Sequence, residues 1–223
     1  MRGKKLRQSL KNIFYFFRWI FVKGFALIFY DPKYLRGCWF EKLSSDGWRW
    51  AANDILHRIF LRRHIGICWP VSPYMECSRN IEFDPNDLDN FQSSGCYFQT
   101  YDAKISIGKG SFIAVNVGII TSNHDIYNLE EHTPGKDVIL GEKCWIGMNS
   151  VILPGVTLGP RTIVGAGSVV TKSFSKGNVV IAGNPARVIR YIGDTDSEST
   201  QLGATAAPED YHRASGKGLT FRS

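Results

Sequence analysis

The stretch VILGEKCWIGMNSVILPGVTLGPRTIVGAGSVVTKSF, residues 138–174, carries an aliphatic side chain at every sixth position: Leu140, Ile146, Ile152, Leu158, Val164 and Val170. The same spacing runs upstream through Ile107, Ile113 and Ile119. In several hexads the following residue is small, as at Gly108, Ala114, Gly141, Gly147, Gly159 and Gly165. An α-helix repeats at 3.6 residues and a strand at two, so neither produces this pattern. A period of six marks a parallel β-helix, each hexad being one short strand and a corner. The aliphatic residue points into the prism, the small residue permits the turn, and three hexads close one coil. A fainter continuation through Phe83, Asp89, Gly95 and Tyr101 predicts irregular first coils.

The interruption is informative too. Ile119 and Leu140 are 21 residues apart, which is not a multiple of six. The sequence therefore predicts an excursion through TSNHDIYNLEEHTPGKD, Thr121–Asp137. A loop leaving a rigid solenoid is where function is usually mounted.

Outside the repeats the chain changes character. The net charge of +7 is concentrated at one end: residues 1–36 hold nine of the 27 Lys and Arg and only Asp31 among the acids. That segment is +8, and the rest of the chain is 18 − 19 = −1. With a near-neutral body and no zinc-finger spacing, nucleic acid is not an expected partner. Residues 13–30, IFYFFRWIFVKGFALIFY, are apolar but broken by Arg18 and Lys23, and no small-residue cleavage site follows. On a helix Lys4, Arg7, Lys11 and Arg18 share a stripe, the pattern of a helix lying in a membrane interface. A helix packed on the body or on a partner chain, and a true span, remain alternatives; each mid-span charge would cost ~2.5–3.5 kcal/mol. A second helix is predicted over about Gly47–Arg63, with Trp50, Ile55, Ile59 and Phe60 available for burial and Arg58, Arg62 and Arg63 on a basic face. Five single cysteines without a C-x-x-C pair point to reduced thiols, mostly buried, in a cytoplasmic body, which the basic helix would hold peripherally on the inner face of the plasma membrane. Residues 193–223 are polar and aperiodic, and are expected to be a disordered tail. The expected layout is a helical segment 1–64, a β-helix 65–192 and the tail.

Residues Val138–Arg190, ending in VVIAGNPARVIR, closely resemble the closing segment of hexapeptide-repeat O-acetyltransferases, nearest the maltose, galactoside, xenobiotic and polysaccharide-biosynthesis acetyltransferases. The match spans Ile105–Ile192 and is looser back to Ile65, while residues 1–64 have no counterpart in the family core. The resemblance implies a mainly β fold, a left-handed parallel β-helix, assembled as a homotrimer with acetyl-CoA between neighbouring subunits and no metal. Such a hand departs from the general rule for crossovers.

The family's catalytic histidine sits in the excursion, where Asn123-His124-Asp125 matches. Its chemistry is a proton transfer: a hydroxyl must lose its proton as it attacks a thioester, and imidazole, with a pKa of about 6.5, suits that task. Asp125 or a backbone carbonyl would hold the other ring nitrogen, and a groove amide would steady the oxyanion. The resemblance places Trp145 beside the active site, Gly147, Ala166, Thr171 and Lys172 along the pantetheine arm, and Arg187 and Arg190 near the phosphates. Met148 departs from the small or polar residue that relatives often carry. Asn116, Asn123 and Glu130 are candidate contacts to the acceptor, expected to be a sugar or surface-polysaccharide precursor. His132 matches nothing in the family pattern. An amine acceptor and a non-catalytic scaffold are the alternatives; a β-helix zinc enzyme would need three histidines, and only two lie in the repeat region.

Overall fold

The computed structural model describes residues 7, 13, 20, 22–42 and 44–193. Lys4, Lys11 and Arg18 of the basic stripe, and the tail beyond Gly193, lie outside the described residues.

The hexads become strands on three faces of a prism. The first face stacks β1 (Glu76–Cys77), β3 (Tyr97–Gln99), β6 (Gly118–Ile120), β9 (Val151–Ile152) and β12 (Val169–Val170). The second stacks β2 (Ile81–Glu82), β4 (Ile105–Ile107), β7 (Val138–Leu140) and β10 (Thr157–Leu158). The third stacks β5 (Phe112–Ile113), β8 (Trp145–Ile146), β11 (Thr162–Val164) and β13 (Val179–Gly183), closed by β14 (Ala186–Tyr191). Every pairing is parallel except β13 with β14. This is the mainly β, parallel β-helix architecture expected from the repeat. All nine hexad aliphatics are buried, each in register with its neighbours one coil away.

The small residues after the aliphatics answer to coil spacing. Adjacent parallel strands lie about 4.8 Å apart. A Cβ on Gly141 would come within 2.6 Å of the Pro160 nitrogen, and one on Gly147 within 2.6 Å of the Ala166 nitrogen. Both glycines are therefore fixed by the backbone one coil above.

Two departures from the simple repeat carry meaning. Leu140 pairs with Leu158 eighteen residues on, but Ile107 pairs with Leu140 thirty-three residues on. The excursion thus adds fifteen residues to one turn, at the corner between the first and second faces. In the first coil a 3₁₀ helix, Pro85–Gln92, replaces the third-face strand. The upstream continuation through Phe83, Asp89, Gly95 and Tyr101 is therefore corrected. Leu88, Phe91 and Phe98 fill the interior, and Gly95 and Tyr101 are exposed. Extra residues in the first turns shift the register: Phe98 pairs with Ile119 twenty-one residues on.

An aromatic plug closes this end of the prism. Tyr34 stacks on Phe83 at 4.9 Å, Phe83 meets Phe91 at 4.3 Å, and Trp69 meets Phe83 edge-on at 5.2 Å. A solenoid needs such a cap, because its terminal coil has no neighbour to cover it. Residues 22–29 are helical (α1), and α2 runs Asp46–Leu61. The core is continuous from Val22 through the coils to Ala186.

The α2 burial pattern reverses two expectations. Trp48, Ala51, Asp54, Ile55 and Arg58 face inward, whereas Ile59 and Phe60 are exposed. Arg58 leaves the expected basic face because its charge is met inside. Its Nε donates to Asp54 Oδ2 at 2.8 Å, and Nη1 and Nη2 donate to the Ile67 and Trp69 carbonyls at 2.7 and 2.9 Å. Asp54 also accepts from the Tyr30 hydroxyl (2.9 Å) and the Val71 amide (3.1 Å), and lies 3.1 Å from His64 Nδ1. Of the five cysteines only Cys96 and Cys144 are buried, while Cys38 and Cys68 are exposed. Burial pushes the two buried thiols above their ordinary value.

Candidate active site

The excursion folds into a short hairpin. Thr133 N donates to the Asn123 carbonyl (2.8 Å), Asp125 N to the Glu131 carbonyl (2.9 Å), and His124 and His132 face each other as antiparallel bridge partners. Its root is tied down where Lys136 N donates to the Thr121 carbonyl at 2.8 Å. The Asp125 carboxylate accepts from the Tyr127 and Asn128 amides at 2.7 and 3.2 Å, so it builds the hairpin turn. Of the two partners expected for the other ring nitrogen, the backbone carbonyl is the one in place: the Leu129 carbonyl stands 2.8 Å from His124 Nδ1. A carbonyl only accepts, so Nδ1 carries the proton and Nε2 presents its lone pair. The ring is exposed, with the His132 ring at 4.3 Å, and His132 in turn stacks on Tyr101 at 4.6 Å. Asn123 and Glu130 are exposed on the same hairpin. A cavity of about 770 Å³ opens at this corner, lined in part by Ser78, Arg79, Thr100, Asp102, Lys104 and Asp137.

The remaining candidates fall into two groups. Thr171 and Lys172 follow β12 and so share the excursion's corner, between the first and second faces. Gly147, Ala166 and Asn116 lie at the corner between the third and first faces. Trp145 is half-exposed on the outer side of the third face, in register with Phe112 and Ile163. Arg190 pairs with Val180 and Arg187 with Ala182 on that face, and no carboxylate pairs with either arginine among the described residues. Within the chain, then, His124 shares a corner with Thr171 and Lys172, while Trp145, Ala166 and both arginines lie elsewhere on the prism.

One role needs revision on this geometry. Gly147 is buried by its stacking against Ala166, so the open floor of that corner belongs to Ala166 and Gly167. A Cβ added to Gly167 would meet no atom within 4 Å, and the residue turns the corner with a φ of +69°. Asn116 adopts φ +58°, the left-handed conformation at which Asn149 turns the next coil with φ +59°. The left-handed turn accounts for its residue type, and it shares its corner with Ala166 rather than with His124 of the same chain.

The pattern described as bacterial transferase hexapeptide (six repeats) matches residues 137–172. The galactoside O-acetyltransferase of Escherichia coli is 37% identical over 57% of this chain and 63% of its own length. That of Lactococcus lactis is 31% identical over 58% of this chain and 69% of its own length. The chain belongs to the hexapeptide-repeat transferases. It spans about three fifths of the length of several curated relatives it matches. A solved galactoside acetyltransferase in complex with coenzyme A is 34% identical, over 57% of this chain and 64% of that one, with a TM-score of 0.49.

The matched pattern of this hexapeptide transferase takes in Trp145, Gly147, Ala166, Thr171 and Lys172, and leaves the His124 hairpin outside it. The sequence did not signal His132 as the ring neighbour of His124, nor Tyr101 as the ring stacked on His132. The bridge between the two histidines depends on the turn built by Asp125, and only a count of hairpin register could have signalled it. No group of three or more His, Cys, Asp or Glu is arranged to hold a metal among the described residues.

Proposed function

We propose that this hexapeptide transferase moves an acetyl group from acetyl-CoA to a hydroxyl of a sugar or surface-polysaccharide precursor, with His124 as general base. The observation that carries the reading is the Leu129 carbonyl 2.8 Å from His124 Nδ1, which leaves Nε2 as the acceptor on an exposed ring. As Nε2 takes the hydroxyl proton, the acceptor oxygen bonds to the acetyl carbon and the carbon–sulfur bond breaks. The imidazolium then returns the proton to the departing thiolate, so atoms and charge balance. The names of the two galactoside O-acetyltransferases support a sugar acceptor, and the polar cavity beside Tyr101 offers hydroxyl-binding groups at the same corner.

The open backbone at Ala166 and Gly167 suits the pantetheine arm, with Thr171 and Lys172 as further contacts. Arg187 and Arg190, exposed and without carboxylate partners among the described residues, suit the phosphates. Because His124 and Ala166 stand at different corners, the working site needs two copies, and a closed homotrimer supplies three such junctions. The outward column of Phe112, Trp145, Ile163 and Val180 supports that contact, being apolar and partly exposed.

Mixing two inactive variants tests the shared site. His124→Ala and Ala166→Trp, unfolded together and refolded, should regain roughly a quarter of parental turnover, since junctions pairing an intact hairpin with an intact corner form by chance. Activity that stays at the level of the separate variants places both groups in one subunit and contradicts the reading.

A further inference from the structure

We infer that the exposed apolar sides of α1 and α2 dock on an anionic lipid surface. The starting observation is apolar surface with no cover. Ile13, Ile20 and Leu27 are all helical and about half-exposed. Ile28 beside them is 73% exposed. Val22, Ala26 and Tyr30 are buried, and they lie on the opposite side of α1.

The end of α2 repeats the arrangement. Leu56, Ile59 and Phe60 fall within about a third of the helix circumference, opposite the buried Ala51, Asp54 and Arg58. Phe60 is 76% exposed, and Leu61 and Ile65 extend the apolar surface past the helix end. Apolar side chains of this size, grouped on the exposed side of a helix, mark an interaction site.

Charge selects the occupant. The segment holding α1 is +8, and Arg62 and Arg63 follow α2 directly. A second copy docked on this face would bring two such segments together, and like charge opposes that contact. An anionic bilayer complements it: apolar side chains enter the headgroup boundary while each nearby Lys or Arg adds attraction to the surface. None of the described helices is long and apolar enough to cross a membrane. The inference is independent of the acetyl-transfer reading, since it uses no residue of the His124 hairpin. If both hold, the face would bring the transferase to acceptors carried on lipid.

Cosedimentation with vesicles tests it, using the full chain and phosphatidylcholine with or without phosphatidylglycerol. The parent protein should bind the anionic vesicles, and should bind less to neutral ones and at high salt. Ile28→Glu combined with Phe60→Glu should reduce binding about tenfold or more, because two apolar side chains are lost from the lipid contact. Its melting temperature should not change, as both side chains are exposed. Three outcomes overturn the inference: no binding to anionic vesicles, equal binding by the double variant, or a drop in the variant's sedimentation coefficient without lipid. The last would assign the face to a second copy.

Discussion

Replacing His124 with alanine should lower turnover by ~10²–10⁴-fold, the range for removal of a general base. The fold should not notice the change. The side chain lies exposed on a hairpin, beside the Leu129 carbonyl and the exposed His132 ring. Affinity for acetyl-CoA should also persist, because Ala166, Gly167, Arg187 and Arg190 stand elsewhere on the prism. Turnover and acetyl-CoA binding measured on the same preparation separate the two effects. A variant that keeps more than a tenth of parental turnover would remove His124 from the chemistry. A variant that melts early would instead assign it a structural part that its exposure does not suggest.

The second large effect concerns stability. Asp54→Ala should cost about 3–5 kcal/mol, the penalty for breaking a buried ion pair from one side. Asp54 is wholly buried and takes hydrogen bonds from Tyr30, Arg58 and the Val71 amide, with His64 also in reach. Its loss would strand a guanidinium that is only 2% exposed. Burial, then the charge of Asp54, holds the Tyr30 hydroxyl well above its ordinary value, so it stays a donor to the carboxylate. Through these bonds α1, α2 and the 64–75 segment are joined to the first coil. Urea unfolding reads the cost directly. A loss below about 1 kcal/mol would mean that the cluster contributes no more than an exposed pair does.

The prism itself was legible in the sequence because its geometry imposes a period. Nine aliphatics at a spacing of six could only be satisfied by one inward site per hexad, and all nine are buried. The excursion was legible for the same reason, since a rigid period makes an interruption countable. Burial on α2 was not legible. Ile59 and Phe60 read as core and Arg58 as surface, whereas an internal carboxylate at Asp54 reversed the usual preference. Within the site, the position of His124 followed from the excursion, but its contacts with Leu129 and His132 depend on a hairpin whose turn is built by Asp125. The separation of His124 from Ala166 was latent in the spacing: hexads counted in threes assign each corner, and the two residues fall on different ones.

The central claim is acetyl transfer, and thiol release from acetyl-CoA tests it most directly. Purified protein would be assayed against galactosides, maltose and polysaccharide fragments, with His124→Ala alongside. The account predicts release that requires a hydroxyl-bearing acceptor and disappears in the variant. Release that proceeds equally in the variant, or an absence of both release and acetyl-CoA binding, would contradict it.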